Sequence, residues 1–347
     1  MRNPSSTDRW TSKLTGPAGN APPEGQLSGG FLRGRISYPF GFLAVWIALG
    51  ILLVACWIWV PRSVSAFSFR MSLPFMAFLA IAAMGQTLVL MMRGIDLSAP
   101  AIIAAASMVL VGTSGSTGAG LWLAIPAALS LSVAIGAVNG LLIAVLRLNA
   151  LIVTMAVSAI VGGGVIYYSR VFASVATAPD ALQNFVGSRP FGLPVAVWVA
   201  LGLLALLTLW LRKTKLGRNF QLAGANPAAA HASGLATTWY QMTAYVGASL
   251  LYGTLAILLS GFIGNPTTSI GNPYLLAPIA AAVLGGTAMN GGIASMIAVV
   301  GASAFLIQLE QASKMLGLES SWQMIVQGLA IAIGMWMSRL TATSRQR

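Results

Sequence analysis

Few residues in this 347-residue chain could do covalent or acid–base chemistry. It has one histidine (His231), one cysteine (Cys56) and six acidic residues. One histidine cannot build a histidine-rich metal cage, and one cysteine allows no intramolecular disulfide. Asp96, in Gly94-Ile95-Asp96-Leu97-Ser98, is the only acid within or bordering an apolar segment. A carboxylate at that depth is a functional candidate. It also stands where a helix N-cap belongs, beside Arg93, so a cap with an ion pair is its structural reading. No Gly-x-x-x-x-Gly-Lys-Ser/Thr run is present to cradle a nucleotide, and no nucleophile–base pair stands out. What remains is docking chemistry. Arg212, Lys213, Lys215 and Arg218 fall within seven residues without a carboxylate among them. A compact helix signature follows: Asn226 as cap, Pro227 at the first helical position, Ala228, Ala229 and Ala230 to propagate it, and His231, Ser233 and Gly234 to close it. The pattern predicts a helix of about seven residues and about 10 Å from Gly224 to Gly234, too short to stand unsupported in water. His231 on this helix either touches a partner or is solvated.

The elements that position this segment are apolar. The chain is 57% hydrophobic and 7% charged, where a soluble domain carries about 25% charged residues. It is therefore expected to be an all-α polytopic membrane protein. The net charge of +13 comes from cations that flank apolar runs, an orientation signal rather than a nucleic-acid footprint. Residues 1–37 read as a disordered tail rich in Pro, Gly and Ser, residues 38–340 as a transmembrane domain with a cytoplasmic loop at 212–240, and 341–347 as a second tail. A spacing of about 20 residues per span predicts about ten spans. They fall near 38–60, 71–92, 97–113, 121–146, 150–169, 193–211, 241–263, 276–290, 292–309 and 322–338. The third and eighth are short and interrupted by Gly or Pro, so they are expected to be broken or re-entrant and to border a transport path. With both termini inside, inner segments hold 14 of the 19 Lys and Arg residues, so both termini are expected in the cytoplasm.

Two stretches, 84–98 and 283–295, each pass from an apolar helix through a Gly-marked break into another helix, in corresponding places of the two halves. Candidate path or gating positions are Gly85, Asp96, Asn139, Gly285, Gly286, Thr287, Asn290 and Gly291. The Gly285–Gly292 run serves either tight turns or close helix packing, and Asn139 ends a helix where packing alone would also explain it.

In order, the segments GQTLVLMMRGIDLS (85–98), NGLLIAVLRLNALIVTMA (139–156), LGRNFQLAGANPAAAHASG (216–234), IAAAVLGGTAMNGG (279–292) and WQMIVQGLAIAI (322–333) resemble the permeases of bacterial ABC importers for ribose and related sugars. That branch is more distantly shared with branched-chain amino acid permeases. The resemblance implies an ABC importer permease fold in the inner membrane, a homodimeric pore that moves a monosaccharide-like solute inward by alternating access, and two further partners. These are a cytoplasmic ATPase, which binds the ATP, and a soluble solute-binding protein outside. It also implies no cofactor or metal on this chain and gives Gly224–Gly234 the role of the coupling helix that docks on the ATPase. Three positions depart from the pattern. Leu275, Leu276, Ala277 and Pro278 follow Tyr274 where acids are usual, Arg93 replaces a Gly, and Ile293 stands where a basic residue is frequent. A self-contained ion-coupled carrier is the alternative, and the lack of mid-membrane carboxylates speaks against it.

Overall fold

The computed structural model describes residues 41–115, 119–172 and 177–319, together with 322, 325, 328, 329 and 332. The tails at 1–37 and 341–347 and the tenth expected span lie outside the described residues or almost wholly so. Twelve α-helices are described: α1 (Gly41–Trp59), α2 (Ala66–Met91), α3 (Ala99–Ser114), α4 (Leu121–Gly140), α5 (Ala150–Phe172), α6 (Asp180–Gly187), α7 (Val195–Lys213), α8 (Lys215–Ala225), α9 (Pro227–Ala232), α10 (Thr237–Ile263), α11 (Ala277–Leu284) and α12 (Met296–Met315). No strand occurs among the described residues. Among the described residues, six helices (α2, α4, α5, α7, α10 and α12) are long and apolar enough to cross a membrane.

The remaining expected spans are shorter. α1, α3 and the segment from Asn272 to Leu284 are apolar but fall below that length. The eighth expected span, 276–290, is broken within its length, as its Gly and Pro residues led the sequence reading to expect. Its helix stops at Leu284, and eight residues rise only about 12 Å. Gly286 takes φ 81° immediately afterwards, which turns the chain out of the helix. The ninth expected span likewise starts later, at Met296, because Ser295 caps it by accepting a hydrogen bond from the Ala298 amide.

α2 forms the axis. It is apolar on every side, and from Ala77 to Met91 every residue is buried, as expected of a helix surrounded by others. α10, α11, α12 and α7 pack on it, while α3 and α4 pack on α10. Small residues set these distances, since helices in lipid gain contact by backbone approach rather than by expelling water. A Cβ on Gly136 of α4 would lie 2.6 Å from Ser249 Cβ, and one on Gly85 of α2 would lie 2.8 Å from Tyr252 Cε1, both on α10. The end of α12 is tied to the start of α2 by hydrogen bonds from Gln308 Nε2 to Ser63 O (3.3 Å) and from Gln311 Nε2 to Ser68 Oγ (3.1 Å). Glu310 and Lys314 therefore sit at the end of the bundle opposite Arg93, which follows α2.

Candidate functional site

The short helix expected after the cation run is present as α9, six residues long. Asn226 Oδ1 accepts from the Ala229 amide at 3.1 Å, and Pro227 opens the first turn. At the other end Gly234 takes φ 80°, Leu235 N donates to Ala230 O at 3.0 Å, and Ser233 Oγ donates to Ala229 O at 2.8 Å. Ala230 is buried and Pro227 half-buried, while Ala228, Ala229, His231 and Ser233 are exposed. The helix thus presents most of its small-residue surface outward. Arg212, Lys213, Lys215 and Arg218 are exposed at the end of α7 and the start of α8.

α8, which carries Lys215 and Arg218 and runs from the cation run to α9, is a helix the cations obscured. Thr214 caps it by accepting from Gly217 N at 3.0 Å, and it buries Gly217, Phe220, Ala223 and Gly224. That spacing marks one helical face and was the available signal. Phe220 meets Trp210 of α7 edge to face, with ring centroids 5.2 Å apart.

α8 ends in a three-way junction. The backbone of Arg93, at φ 63°, closes α2 with Arg93 N donating to Leu90 O and Gly94 N to Val89 O. This is the paired bonding of a Schellman stop, with Arg where Gly is usual. The guanidinium then reaches the last carbonyls of α8: Nε donates to Gly224 O at 2.9 Å and Nη2 to Ala225 O at 2.5 Å. A cation at a helix C-terminus is favourable for the dipole as well as for the open carbonyls. Gly224 packs directly on Met91 O, to which Gly292 N donates at 2.9 Å. Gly291, at φ 85°, fits over both: a Cβ there would lie 2.5 Å from Gly224 O and 2.6 Å from Arg93 Cγ. The two Gly-marked breaks seen in the sequence therefore touch each other and the helix before α9.

Asp96 is buried, and no ion pair joins it to Arg93, whose side chain turns to α8 instead. Nor does it cap α3 directly, since the helix opens after Ser98. Asp96 Oδ1 accepts from Ser98 N (2.8 Å) and Ser98 Oγ (2.5 Å), and Asn139 Nδ2 of α4 donates to Ser98 Oγ at 2.8 Å. The Gln86 amide, in the orientation that satisfies both its ends, donates to Asp96 O at 3.2 Å and accepts from Asp96 N at 3.1 Å. Thr154 Oγ1 of α5 accepts from Leu97 N at 3.1 Å. The non-helical stretch between α2 and α3 is thus held from three sides, which is what unpaired backbone in an apolar interior requires. Asp96 Oδ2, Asn139 Oδ1 and Tyr245 Oη are buried without a described partner.

Of the other candidates, Gly85 adjoins this knot through Gln86, and the rest lie in the segment after α11. Gly85 and Gly285 are close-packing positions, the first on Tyr252 and the second on Val299 of α12, where a Cβ would lie 2.8 Å from Cα. Thr287 is buried with its hydroxyl unpartnered, Gly286 is half-buried, and Asn290 is exposed.

None of the eight path candidates lines the larger cavity, of about 660 Å³, at the far end of the bundle. Its polar groups come from Ser72, Asn272, Tyr274, Glu310, Gln311 and Lys314, between Phe75, Leu79 and Ala280. These residues lie in unremarkable polar and apolar contexts, and only the return of α12 beside the start of α2 unites them.

Six long apolar helices with a buried axis and an internal polar knot define a multi-pass membrane protein. The family model described as "Branched-chain amino acid transport system / permease component" matches residues 68–334, and the chain belongs to that family. The ribose import permease protein of Escherichia coli (strain K12) is 33% identical over 258 residues, covering 73% of this chain and 80% of that protein. The L-arabinose transport system permease protein of the same strain is 31% identical over 303 residues, 87% of this chain and 90% of the relative. A probable ABC transporter permease protein of Sinorhizobium fredii (strain NBRC 101917 / NGR234) is 29% identical over 304 residues, again 87% and 90%. No solved structure matches.

Proposed function

We propose that this chain is the pore-forming permease subunit of an ATP-driven importer that moves a monosaccharide-like solute into the cytoplasm. One observation carries the reading. α2, α11 and α12 each line the 660 Å³ cavity near one end and approach the α8 junction at the other, α11 and α12 through the loop 285–295. α9 extends directly from that junction. A push on α9 therefore reaches the cavity walls through Gly224 and Ala225, then through Met91 and Arg93 into α2, and through Gly291 and Gly292 into α11 and α12. α2, 26 residues long and encased along its second half, spans about 39 Å as a strut.

In this reading an ATPase subunit, which binds the ATP, docks on α9 and meets the exposed cations at the α7–α8 turn. Its closure switches the cavity between outward and inward access, with Asp96, Asn139 and Thr287 among the buried groups beside the moving breaks. A second copy of this chain completes the pore, and a soluble binding protein delivers solute to the cavity end. The chain crosses a bacterial inner membrane about ten times, with both termini cytoplasmic, as the 14-to-5 cation asymmetry directs. The relatives named for ribose and L-arabinose support the solute class.

The test is uptake of labelled pentoses and hexoses into proteoliposomes. Chain, ATPase and binding protein together should import one of them only with ATP supplied on the ATPase side. Import by the chain alone under a sodium or proton gradient would replace the proposal with an ion-coupled carrier.

A further inference from the structure

A second cavity, of about 440 Å³, opens beside α9 and the α8 junction. Arg93, Arg147, Thr237, Thr238 and Gln241 line it, and no carboxylate does. Two cations therefore share one concavity without a counter-charge. Arg93 spends Nε and Nη2 on the α8 carbonyls. Arg147 is exposed and makes no hydrogen bond or ion pair to a described residue. The backbone adds a second point. Among the described residues only Arg93, Arg147 and Phe191 combine a side chain with positive φ, at 63°, 56° and 54°. Two of these three line this cavity. Glycine would hold that conformation without strain. Arg93 is accounted for by its bonds to the α8 carbonyls, whereas Arg147 bears the cost with a side chain bonded to no described residue.

The rim identifies the occupant. Leu146 and Leu148, which flank Arg147, are 57% and 48% exposed, Ile152 on the first turns of α5 is 69% exposed, and Trp239 beside Thr238 is 55% exposed. Exposed apolar residues, one of them (Leu148) in the cavity wall and the others, a tryptophan included, next to or within two residues of wall residues in the chain, accompany a cationic pocket as at a membrane–water interface. We propose that this cavity binds the phosphodiester of an anionic phospholipid. Arg147 and the free edge of the Arg93 guanidinium face the phosphate, the Thr237 and Thr238 hydroxyls serve as donors, and the acyl chains lie along the exposed leucines and Ile152. Bound there, the lipid ties α2, the segment after α4 and the start of α10 together beside α9.

The lipid measurements use the full-length chain alone, so their outcome is independent of the transport reading, and one separate titration adds the ATPase subunit. Arg147→Gly removes the charge while suiting the left-handed backbone, and Arg147→Lys keeps the charge. Each is purified, delipidated and exposed to phosphatidylglycerol or phosphatidylcholine in nanodiscs, or to inorganic phosphate in detergent. Retained lipid is read by mass spectrometry and melting by fluorescence. Wild type and Arg147→Lys should retain phosphatidylglycerol over phosphatidylcholine and melt higher with it. Arg147→Gly should retain about fivefold less, the weight of one interfacial cation, yet melt no lower than wild type when lipid is absent. Equal retention by all three, or a lower lipid-free melting point for Arg147→Gly, would overturn the proposal. So would protection by inorganic phosphate as strong as that by lipid, which would assign the cavity to a free anion. Loss of ATPase-subunit binding by lipid-free Arg147→Gly would overturn it too, assigning the cavity to an acidic side chain of that subunit.

Discussion

Replacing Gly291 with Ala should break transmission between α9 and the cavity walls without unfolding the membrane helices. Gly291 sits at φ 85°, where an L side chain costs roughly 1–2 kcal/mol. Its added methyl would lie 2.5 Å from Gly224 O, 2.6 Å from Arg93 Cγ and 2.9 Å from Met91 O. Two of these are backbone oxygens that cannot swing away, so overpacking adds about 1–3 kcal/mol. The total of roughly 2–5 kcal/mol disfavours the packed junction by a factor of about 30 to several thousand. Gly234→Ala is the control: its φ is 80° but nothing lies within 4 Å of a Cβ there, so it bears only the backbone cost. Both variants are reconstituted with the ATPase and binding protein, and solute uptake, ATP hydrolysis and melting are recorded. Gly291→Ala should lose more than tenfold in uptake per ATP hydrolysed while still melting cooperatively, and Gly234→Ala should lose less than Gly291→Ala. Equal effects of the two, or wild-type uptake by Gly291→Ala, would refute the assignment of the junction as the transmission point.

Asn226→Ala should weaken ATPase docking by about 1 kcal/mol, the worth of an N-cap, with Asn226→Asp restoring it. A binding titration of the detergent-solubilised chain reads this. Gly136→Ala should lower the melting temperature, because its methyl meets Ser249 and the Tyr245 carbonyl of α10, whereas Gly162→Ala, with nothing within 4 Å, should leave it unchanged or raise it. Asp96→Asn should preserve most transport, since its amide oxygen can still accept from Ser98 N and Oγ. Asp96→Ala leaves those donors buried and should destabilise the chain by about 1–3 kcal/mol. Loss of transport in a stable Asp96→Asn variant would instead mark the carboxylate as a charge carrier.

What the sequence disclosed followed from local chemistry. Asn226, Pro227 and Gly234 announce α9 because cap, first-turn proline and left-handed stop act within one short segment. Composition alone places the chain in a membrane. The breaks after α2 and α11 were visible through their glycines, yet their contact was not, since Met91 and Gly292 are joined only by tertiary packing. Arg93 shows the limit most plainly. Sequence proximity paired it with Asp96, but its left-handed backbone aims it at carbonyls 131 and 132 residues away. The 660 Å³ cavity was hidden for the same reason, its polar groups arising from segments that meet only when α12 returns beside α2. The break in the eighth span was legible in its Pro and Gly residues, but its exact place was not, because apolar composition continues through Val283 and Leu284 while the backbone turns away at Gly286.

The central claim is that α9 docks an ATPase subunit. Affinity purification of the chain from its own membrane, with and without Pro227–Ser233, tests it most directly. The account predicts an ATPase subunit in equal amount with the intact chain and its loss from the deleted one, both chains remaining in the membrane. A deleted chain that keeps the ATPase, or an intact chain that purifies alone and transports under an ion gradient, would contradict it.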